Sequence, residues 1–155
     1  MDKLAQFFLQ AGFPQQEVDK IAGAFTLKAF SKYDYFVQEG KVSRHLGFVD
    51  SGLFQYYSLK DGEEITTYIS TENNFTASLL SYLNEEPARE NIRALTPGKV
   101  WMISKAAVTA LQQEIPAFKD FYIRLVEWQI CCIDKSRFDL IMLTAEQRYE
   151  KMLRE

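Results

Sequence analysis

The stretch GFVDSGLFQYYSLKDGEEITTYI, residues 47–69, decides the fold class of this chain. It consists of short runs of aromatic and β-branched residues, each followed by a turn signal. The turn signal Asp61-Gly62 favours a two-residue type I′ hairpin, because that turn requires positive φ at both central residues. We therefore predict two antiparallel strands joined at this turn.

Runs of the same kind flank this stretch on both sides. They are FTLKAF (25–30), YFVQEG (35–40), HLGFVDSG (45–52) and KVWMI (99–103). Short strands at a spacing of roughly ten residues are typical of an antiparallel sandwich or roll. The stretch NNFTASLLSYLNEEPARENIRA (73–94) lacks alternation, so we predict a short helix and loop inserted between strands there.

Both ends of the chain show helical spacing instead. Apolar residues recur at helical intervals in residues 1–23, and Pro14 lies where a second short helix would begin, a position at which proline is tolerated. Ser104 can cap a short helix that ends before Pro116. We predict one long helix over residues 117–143 after it.

A further helix is predicted after the long one. The sequence Thr-Ala-Glu-Gln begins at Thr144 and forms a capping box, in which Thr144 and Gln147 each accept a hydrogen bond from the other's backbone amide. The break between the two helices is therefore predicted near Leu143 and Thr144.

The composition fits one globular domain with a sizeable core. Of the 155 residues, 47% are apolar and 12 are Phe. The formal net charge of −3 argues against a strongly basic nucleic-acid-binding surface within these residues. The N-terminus lacks the features of a signal peptide, and no apolar stretch of about 18 residues occurs, so we expect no membrane span.

The two cysteines, Cys131 and Cys132, are adjacent in the sequence. Since neighbouring cysteines rarely bridge each other, we expect reduced thiols and a cytoplasmic protein. Buried structural thiols are expected; the alternative is a redox-sensitive pair that bridges two copies of the chain.

No arrangement typical of an enzyme, a metal site or a cofactor site occurs in the sequence. His45 is the only histidine, and it lies in a polar turn where a surface position is expected. No glycine-rich nucleotide-binding loop of the Rossmann or P-loop type occurs. Tyr56, Tyr57 and Tyr68 are candidates for a cavity wall, but at strand spacing we expect ordinary core or strand-face positions. We predict no catalytic residues, no metal, no cofactor and no enzymatic activity.

The long helix has two apolar faces, whereas a helix that only covers its own sheet needs one. The first face holds Phe118, Phe121, Leu125, Trp128 and Cys132, and we predict that it packs on the strands. The second face follows an unbroken heptad pattern, so we predict that it contacts a second copy of the chain in a parallel homodimer. A helix buried wholly within its own domain is the alternative. The predicted dimer contacts are Tyr122, Val126, Gln129, Ile133, Ser136, Leu140 and Leu143.

The order of these segments resembles the Crp/Fnr family of bacterial transcription regulators. The matching pieces are FVQEG (36–40), the stretch 47–69 and RALTPGKVWMISKAAVTAL (93–111), and the resemblance extends over nearly the whole chain. It implies an α+β fold: an antiparallel β-roll of the jelly-roll (double-stranded β-helix) type, like a cyclic-nucleotide-binding domain, with short N-terminal helices and a long C-terminal dimerisation helix.

In that family the inserted segment is the phosphate-binding cassette. Family members typically carry Phe-Gly-Glu and, about ten residues later, Arg-Ser-Ala or Arg-Thr-Ala; the Arg pairs with the phosphate, and backbone amides at the helix N-terminus also face it. The Glu accepts a hydrogen bond from the ribose. The resemblance therefore implies a ligand cavity formed by Phe75, Thr76, Ala77, Ser78, Ala88, Arg89 and Glu90 together with Ile133 and Asp134 of the long helix.

Both charged contacts to a cyclic nucleotide are absent from this cassette. Ser78 stands where the family has Glu, and Ala88 stands where it has Arg. Ile133 and Asp134 replace the Thr and Ser of the cyclic AMP binders. A phosphate buried without its Arg would be an uncompensated charge, so we expect no response to cyclic AMP.

Arg89 lies one residue beyond the expected arginine position, and two placements are open for it. It either points inward to an anionic effector or pairs with Glu86 or Glu90 on the surface. Arg93 is expected in the next strand, with a surface partner. An apolar or weakly polar effector, or none, is also compatible with the cassette.

The resemblance implies three parts of the chain. Residues 1–116 form the sensor, 117–143 the dimerisation helix, and 144–155 the start of a winged helix-turn-helix that continues beyond this chain, with a hinge at Leu143 and Thr144. The implied partners are a second copy of the chain, an unknown small-molecule effector, and DNA only through that further domain. The alternative is a stand-alone dimeric small-molecule-binding or interaction module without DNA binding.

Overall fold

The computed structural model describes residues 2–154, and strands make up its centre. The strands are β1 Thr26–Phe30, β2 Tyr35–Val37, β3 His45–Ser51, β4 Phe54–Lys60, β5 Glu63–Ser70, β6 Phe75–Thr76, β7 Asn91–Ala94 and β8 Gly98–Ser104. The helices are α1 Lys3–Gln10, α2 Gln15–Gly23, α3 Leu79–Asn84, α4 Lys105–Glu114, α5 Pro116–Met142 and α6 Ala145–Arg154.

The strands form two four-stranded sheets in which every neighbouring pair is antiparallel. The order is β1-β8-β3-β6 in one sheet and β2-β7-β4-β5 in the other. Apart from the β4–β5 pair, strands adjacent in sequence, such as β3 and β4, therefore belong to different sheets, as in a jelly roll. The predicted α+β fold with an antiparallel roll, short N-terminal helices and a long C-terminal helix is confirmed.

The hairpin predicted at Asp61-Gly62 joins β4 and β5. Asp61 has φ 53° and Gly62 has φ 82°, the two positive angles that the turn requires. Lys60 pairs with Glu63 directly across it. This local signal was sufficient to place both strands.

The insert consists of α3 between two short strands. The predicted helix is confirmed, and Arg93 lies in β7 as expected. Strand β6 was not predicted, because two residues are too few to show alternation. It pairs with β3 through Gly47 and Phe48, so the start of the insert is fixed to the roll.

Two apolar clusters stabilise the fold. One lies inside the roll and consists of Phe30, Val37, Val49, Phe54, Ala88, Ile92, Ala94 and Val100. The other lies between the roll and the helices, and its centre is an aromatic cluster formed by Phe7, Phe8, Phe13, Phe48, Phe75, Phe118 and Phe121. Because α1, β3, β6 and α5 all contribute rings, the aromatic cluster holds the long helix on the roll.

The predicted helix signals lie where the sequence placed them. The Ser104 hydroxyl accepts from Ala107 N–H at 3.2 Å and begins α4. Pro116 lies in the first turn of α5 rather than before it. In the capping box of α6, Thr144 N–H donates to Gln147 Oε1 at 3.0 Å and Gln147 N–H donates to Thr144 Oγ1 at 3.1 Å.

None of the helices between residues 2 and 154 combines the length and the apolar character needed to cross a bilayer.

Candidate functional site

A cavity of about 380 Å³ lies between the insert, the β4–β5 hairpin and α5. Its walls are mostly apolar and aromatic, with a few polar side chains among them, as is usual for small-molecule sites. The lining residues are Tyr56, Thr67, Tyr68, Phe75, Ala77, Leu79, Leu80, Glu90, Trp128, Gln129, Cys132, Ile133, Ser136, Arg137 and Leu140.

Tyr56 closes the insert side of the cavity. Its hydroxyl accepts a hydrogen bond from Ala77 N–H at 3.2 Å and shares another with the Thr76 hydroxyl. Burial raises the pKa of Tyr56 above its ordinary value, so the phenol stays protonated. The Ala77 amide, which lies where the family's cassette offers amides to a phosphate, already has a protein partner.

Glu90 provides the carboxyl group of the cavity wall. Its Oε2 accepts from the Ser78 hydroxyl at 3.0 Å. Burial raises the pKa of Glu90 above its ordinary value, and the Ser78 hydrogen bond opposes that rise. Among residues 2–154, no Lys, Arg or His forms an ion pair with this carboxyl. The site thus contains a desolvated acid with one neutral donor.

Helix α5 forms the opposite wall. Gln129 is only 8% exposed, and its Nε2 donates to the backbone oxygen of Phe75 at 3.4 Å. This contact joins the middle of α5 directly to the first residue of β6. Any molecule in the cavity therefore touches both the insert and the long helix.

The rim of the cavity contains a cation that is already paired. Arg137 lines the cavity and hydrogen-bonds to Asp134 one turn earlier on α5, and both side chains are mostly exposed to solvent. Exposed pairs of this kind contribute little energy. Arg137 is thus part of a solvated ion pair at the mouth and not a buried counter-ion.

The structure brings four of the predicted ligand contacts into the cavity wall: Phe75, Ala77, Glu90 and Ile133. Thr76 and Ser78 are buried directly behind that wall. They act through their hydrogen bonds to Tyr56 and Glu90, which do line the cavity.

Three predicted contacts do not line the cavity. Ala88 packs inside the roll, in the cluster between the sheets. The Arg89 side chain is 82% exposed, and its guanidinium nitrogen lies 3.9 Å from a carboxylate oxygen of Glu86. Of the two placements open for Arg89, the structure thus shows the surface pair. Asp134 faces solvent in its pair with Arg137. Ala88 and Arg89 lie outside the cavity wall because successive side chains before β7 point in different directions. Ala88 points to the roll interior, Arg89 points to solvent, and Glu90 points to the cavity.

Several residues of the cavity wall were not predicted from the sequence. Tyr56 and Tyr68 pair across the hairpin with ring centroids 5.3 Å apart, and Trp128 and Gln129 enter from α5. Their signal in the sequence was weak, since aromatic residues at strand spacing are usually core. Of the two cysteines, Cys132 is half-buried and lines the cavity, and Cys131 is exposed, so the expectation of two buried thiols is wrong.

The seven predicted dimer contacts do not share one environment in the structure. Gln129, Ser136, Leu140 and Ile133 line the cavity, and Tyr122 packs on the aromatic cluster. Four exposed apolar side chains of α5 lie on a neighbouring face, which we call the outer face of α5. It consists of Ile123, Ile130, Phe138 and Ile141, with exposures of 47%, 53%, 61% and 76%.

Between residues 2 and 154, no group of three or more His, Cys, Asp or Glu side chains is arranged to hold a metal ion.

Sequence comparison identifies one family. The model of the cyclic nucleotide-binding domain matches residues 27–114, more than half of the chain. Comparison with curated proteins finds no match.

Solved structures show where the same fold occurs. The catabolite activator protein of Thermus thermophilus superposes with a TM-score of 0.71 over 86% of this chain at 18% identity, and this chain spans 62% of its length. A cyclic nucleotide-binding domain from Methylobacillus flagellatus gives a TM-score of 0.73 at 16% identity, over 83% of this chain and 73% of that one. The sensor domain of the transcriptional regulator DNR from Pseudomonas aeruginosa gives 0.67 at 15% identity, over 81% and 87%.

Proposed function

Because the chain belongs to the cyclic nucleotide-binding domain family, we propose that it is the effector-sensing and dimerisation domain of a Crp/Fnr-type transcription regulator. We propose further that its cassette does not respond to cyclic AMP. The observation that carries the proposal is the cavity between the insert and α5, because a ligand there contacts both the sensing segment and the helix that would transmit the signal.

The chemistry of the cassette supports a changed effector. The place of the family's phosphate-pairing arginine is held by Ala88, which is buried inside the roll, and Arg89 faces solvent. A carboxyl, Glu90, lines the cavity instead. An anionic phosphate beside Glu90 would meet a like charge. Arg137, the cation in the lining, is mostly exposed and already paired with Asp134.

The outer face of α5 supports dimerisation. Ile123, Ile130 and Ile141 are separated by 7 and 11 residues, spacings that return to the same side of a helix, and each is about half exposed or more. An apolar stripe of this kind fits a second copy of the same helix in a parallel pair. Ile133, one of the predicted contacts, is 55% exposed beside this face and would lie both in the dimer contact and at the cavity.

The break between α5 and α6 supports a hinge. Leu143 has extended backbone angles, φ −114° and ψ 152°, between the two helices. Lys151 of α6 pairs with Asp139 of α5 at 3.0 Å across this break. In this proposal, effector binding biases the position of α5, and the hinge passes the change to a DNA-binding domain beyond α6.

The proposal assigns DNA contact to that further domain, a cytoplasmic location to the protein and no catalytic role to the cavity. The net charge of −3 supports the first of these assignments, since DNA-binding surfaces are basic.

Cyclic nucleotide titration tests the effector part of the proposal. A one-site ligand at about 100 times its dissociation constant adds roughly 2.7 kcal/mol to the free energy of unfolding. We expect cyclic AMP and cyclic GMP at millimolar concentration to leave the thermal midpoint unchanged. A rise of several degrees with cyclic AMP would refute the cassette argument.

Sedimentation tests the dimer. We expect the wild-type chain to sediment as a dimer at micromolar concentration and Ile130→Glu to sediment as a monomer. Lys135→Glu introduces the same side chain at an exposed position on another side of α5 and should remain dimeric. A monomeric wild type, or equal behaviour of the two variants, would contradict the assignment of the outer face.

A further inference from the structure

The geometry points to an organic amine as the effector: a ligand with an apolar body and a protonated nitrogen, held by Glu90 and the aromatic side chains Tyr56, Tyr68 and Trp128. This inference rests on the proposed function and names the ligand class of the same cavity. It follows from the charge of the wall, from its aromatic rings and from the donors that the protein has already used.

The carboxyl group of Glu90 has no ion-pair partner among residues 2–154. Glu90 is the acidic side chain of the lining, and the neutral Ser78 hydroxyl donates to its carboxyl at 3.0 Å. Arg137 at the mouth is paired with Asp134. A desolvated carboxylate is stabilised by an opposite charge placed against it, and Glu90 lines the cavity. A ligand ammonium group supplies the missing partner.

The aromatic side chains suit the same head group. Tyr56 and Tyr68 meet edge to face at a centroid distance of 5.3 Å on one wall, and Trp128 lines the cavity from α5. The faces of aromatic rings attract cations, and clusters of them recognise substituted ammonium ligands. The remaining wall of Phe75, Leu79 and Leu140 suits an apolar body.

The hydrogen-bond donors of the insert are not available to an anion. Ala77 N–H donates to the Tyr56 hydroxyl, and the Ser78 hydroxyl donates to Glu90. Gln129 Nε2 donates to the Phe75 carbonyl. The Ala77 and Ser78 donors would each have to exchange a protein acceptor for the ligand before they could bind a phosphate or a carboxylate, and the freed acceptors would then be unpaired. Gln129 Nε2 has committed one of its two hydrogens in the same way.

Three probes of one size test the inference: phenethylamine, phenethyl alcohol and phenylacetate share a phenyl body and differ in head-group charge. We expect isothermal titration of the whole chain to show the amine binding about tenfold more tightly than the alcohol, a difference typical of a desolvated cation contact. Phenylacetate and cyclic AMP should show no heat of binding.

Two variants locate the effect. Glu90→Gln keeps an acceptor for Ser78 and removes the charge, so it should abolish the advantage of the amine over the alcohol. Glu86→Gln is the matched control, because Glu86 lies outside the cavity lining beside Arg89, and it should retain the advantage. Circular dichroism of both variants shows that the fold is kept.

The outcomes separate the two proposals. If the alcohol or phenylacetate binds as tightly as the amine, the cavity is a ligand site and the amine inference is overturned. If the advantage of the amine survives in Glu90→Gln, the inference is likewise overturned. If no probe binds at millimolar concentration, the amine inference fails together with the proposed use of this cavity as an effector site.

Discussion

Removal of one aromatic ring should release α5 from the roll. Phe121 lies in α5 and contacts Phe8 at a centroid distance of 5.2 Å and Phe75 at 5.8 Å. Through Phe75 it also reaches the first strand of the insert. The substitution Phe121→Ala therefore probes the contact through which the insert and the long helix are coupled.

The magnitude follows from the packing. Truncation of a core phenylalanine to alanine costs about 3–5 kcal/mol, and the lower end applies because Phe121 is only partly buried. For a chain of 155 residues, a loss of about 3 kcal/mol lowers Tm by roughly 6–12 °C. Edge-to-face ring contacts are part of this loss, at about 1 kcal/mol per pair.

The assay is urea unfolding followed by circular dichroism, at two protein concentrations. Phe138→Ala is the matched control, because it is the same substitution on the same helix at a ring that is 61% exposed. We expect the loss from Phe121→Ala at both concentrations and, from Phe138→Ala, a small loss that grows with concentration if Phe138 lies in the dimer contact. A loss below about 1 kcal/mol for Phe121→Ala would show that the aromatic cluster does not hold α5.

Three further substitutions test individual features of the fold and site. Burial raises the pKa of Glu90 above 4.5, so the folded chain binds this proton more tightly than the unfolded chain. The free energy of unfolding therefore falls as pH rises from 4.5 through the folded pKa. Glu90→Gln should unfold at a higher urea concentration than wild type at neutral pH and lose that advantage below pH 4.5. Tyr56→Phe leaves a backbone amide without its acceptor, and urea unfolding should show a loss of about 1–3 kcal/mol; an unchanged midpoint would contradict that hydrogen bond. Gly98→Ala would place a Cβ 2.4 Å from the Ser51 carbonyl oxygen and should cost about 1–3 kcal/mol in thermal unfolding. The control Gly23→Ala, with nothing within 4 Å of its Cβ, should be neutral or stabilising. Equal effects of the two substitutions would refute the close approach at Gly98.

Local chemistry was enough to predict the elements of the fold. The hairpin at Asp61-Gly62 and the capping box of Thr144 and Gln147 depend on residues a few positions apart. The heptad pattern likewise predicted a long helix, and the strand spacing predicted a roll. Signals of this kind are readable because one turn or one cap satisfies its own hydrogen bonds.

The position of single side chains in the cavity was not readable in the same way. The hairpin register continues without a shift from Lys60–Glu63 to Tyr57–Thr66, and a bulge then pairs Tyr56 with Tyr68. That bulge brings the two rings together on the cavity wall. A bulge is set by the fit of the whole sheet, so the alternation of the strand did not predict it.

The sequence by itself determined that this chain forms a roll with a helical insert and a long helix, and it placed Ser78 and Ala88 where the family resemblance leads one to expect glutamate and arginine. Only the tertiary structure decided that Arg89 faces solvent while Glu90, one residue later, enters the cavity. It also decided that Gln129 belongs to the cavity wall and Ile130 to the outer face of α5. The physical reason is that neighbouring residues on a strand or helix point in different directions, and which direction is inward depends on the elements packed against them.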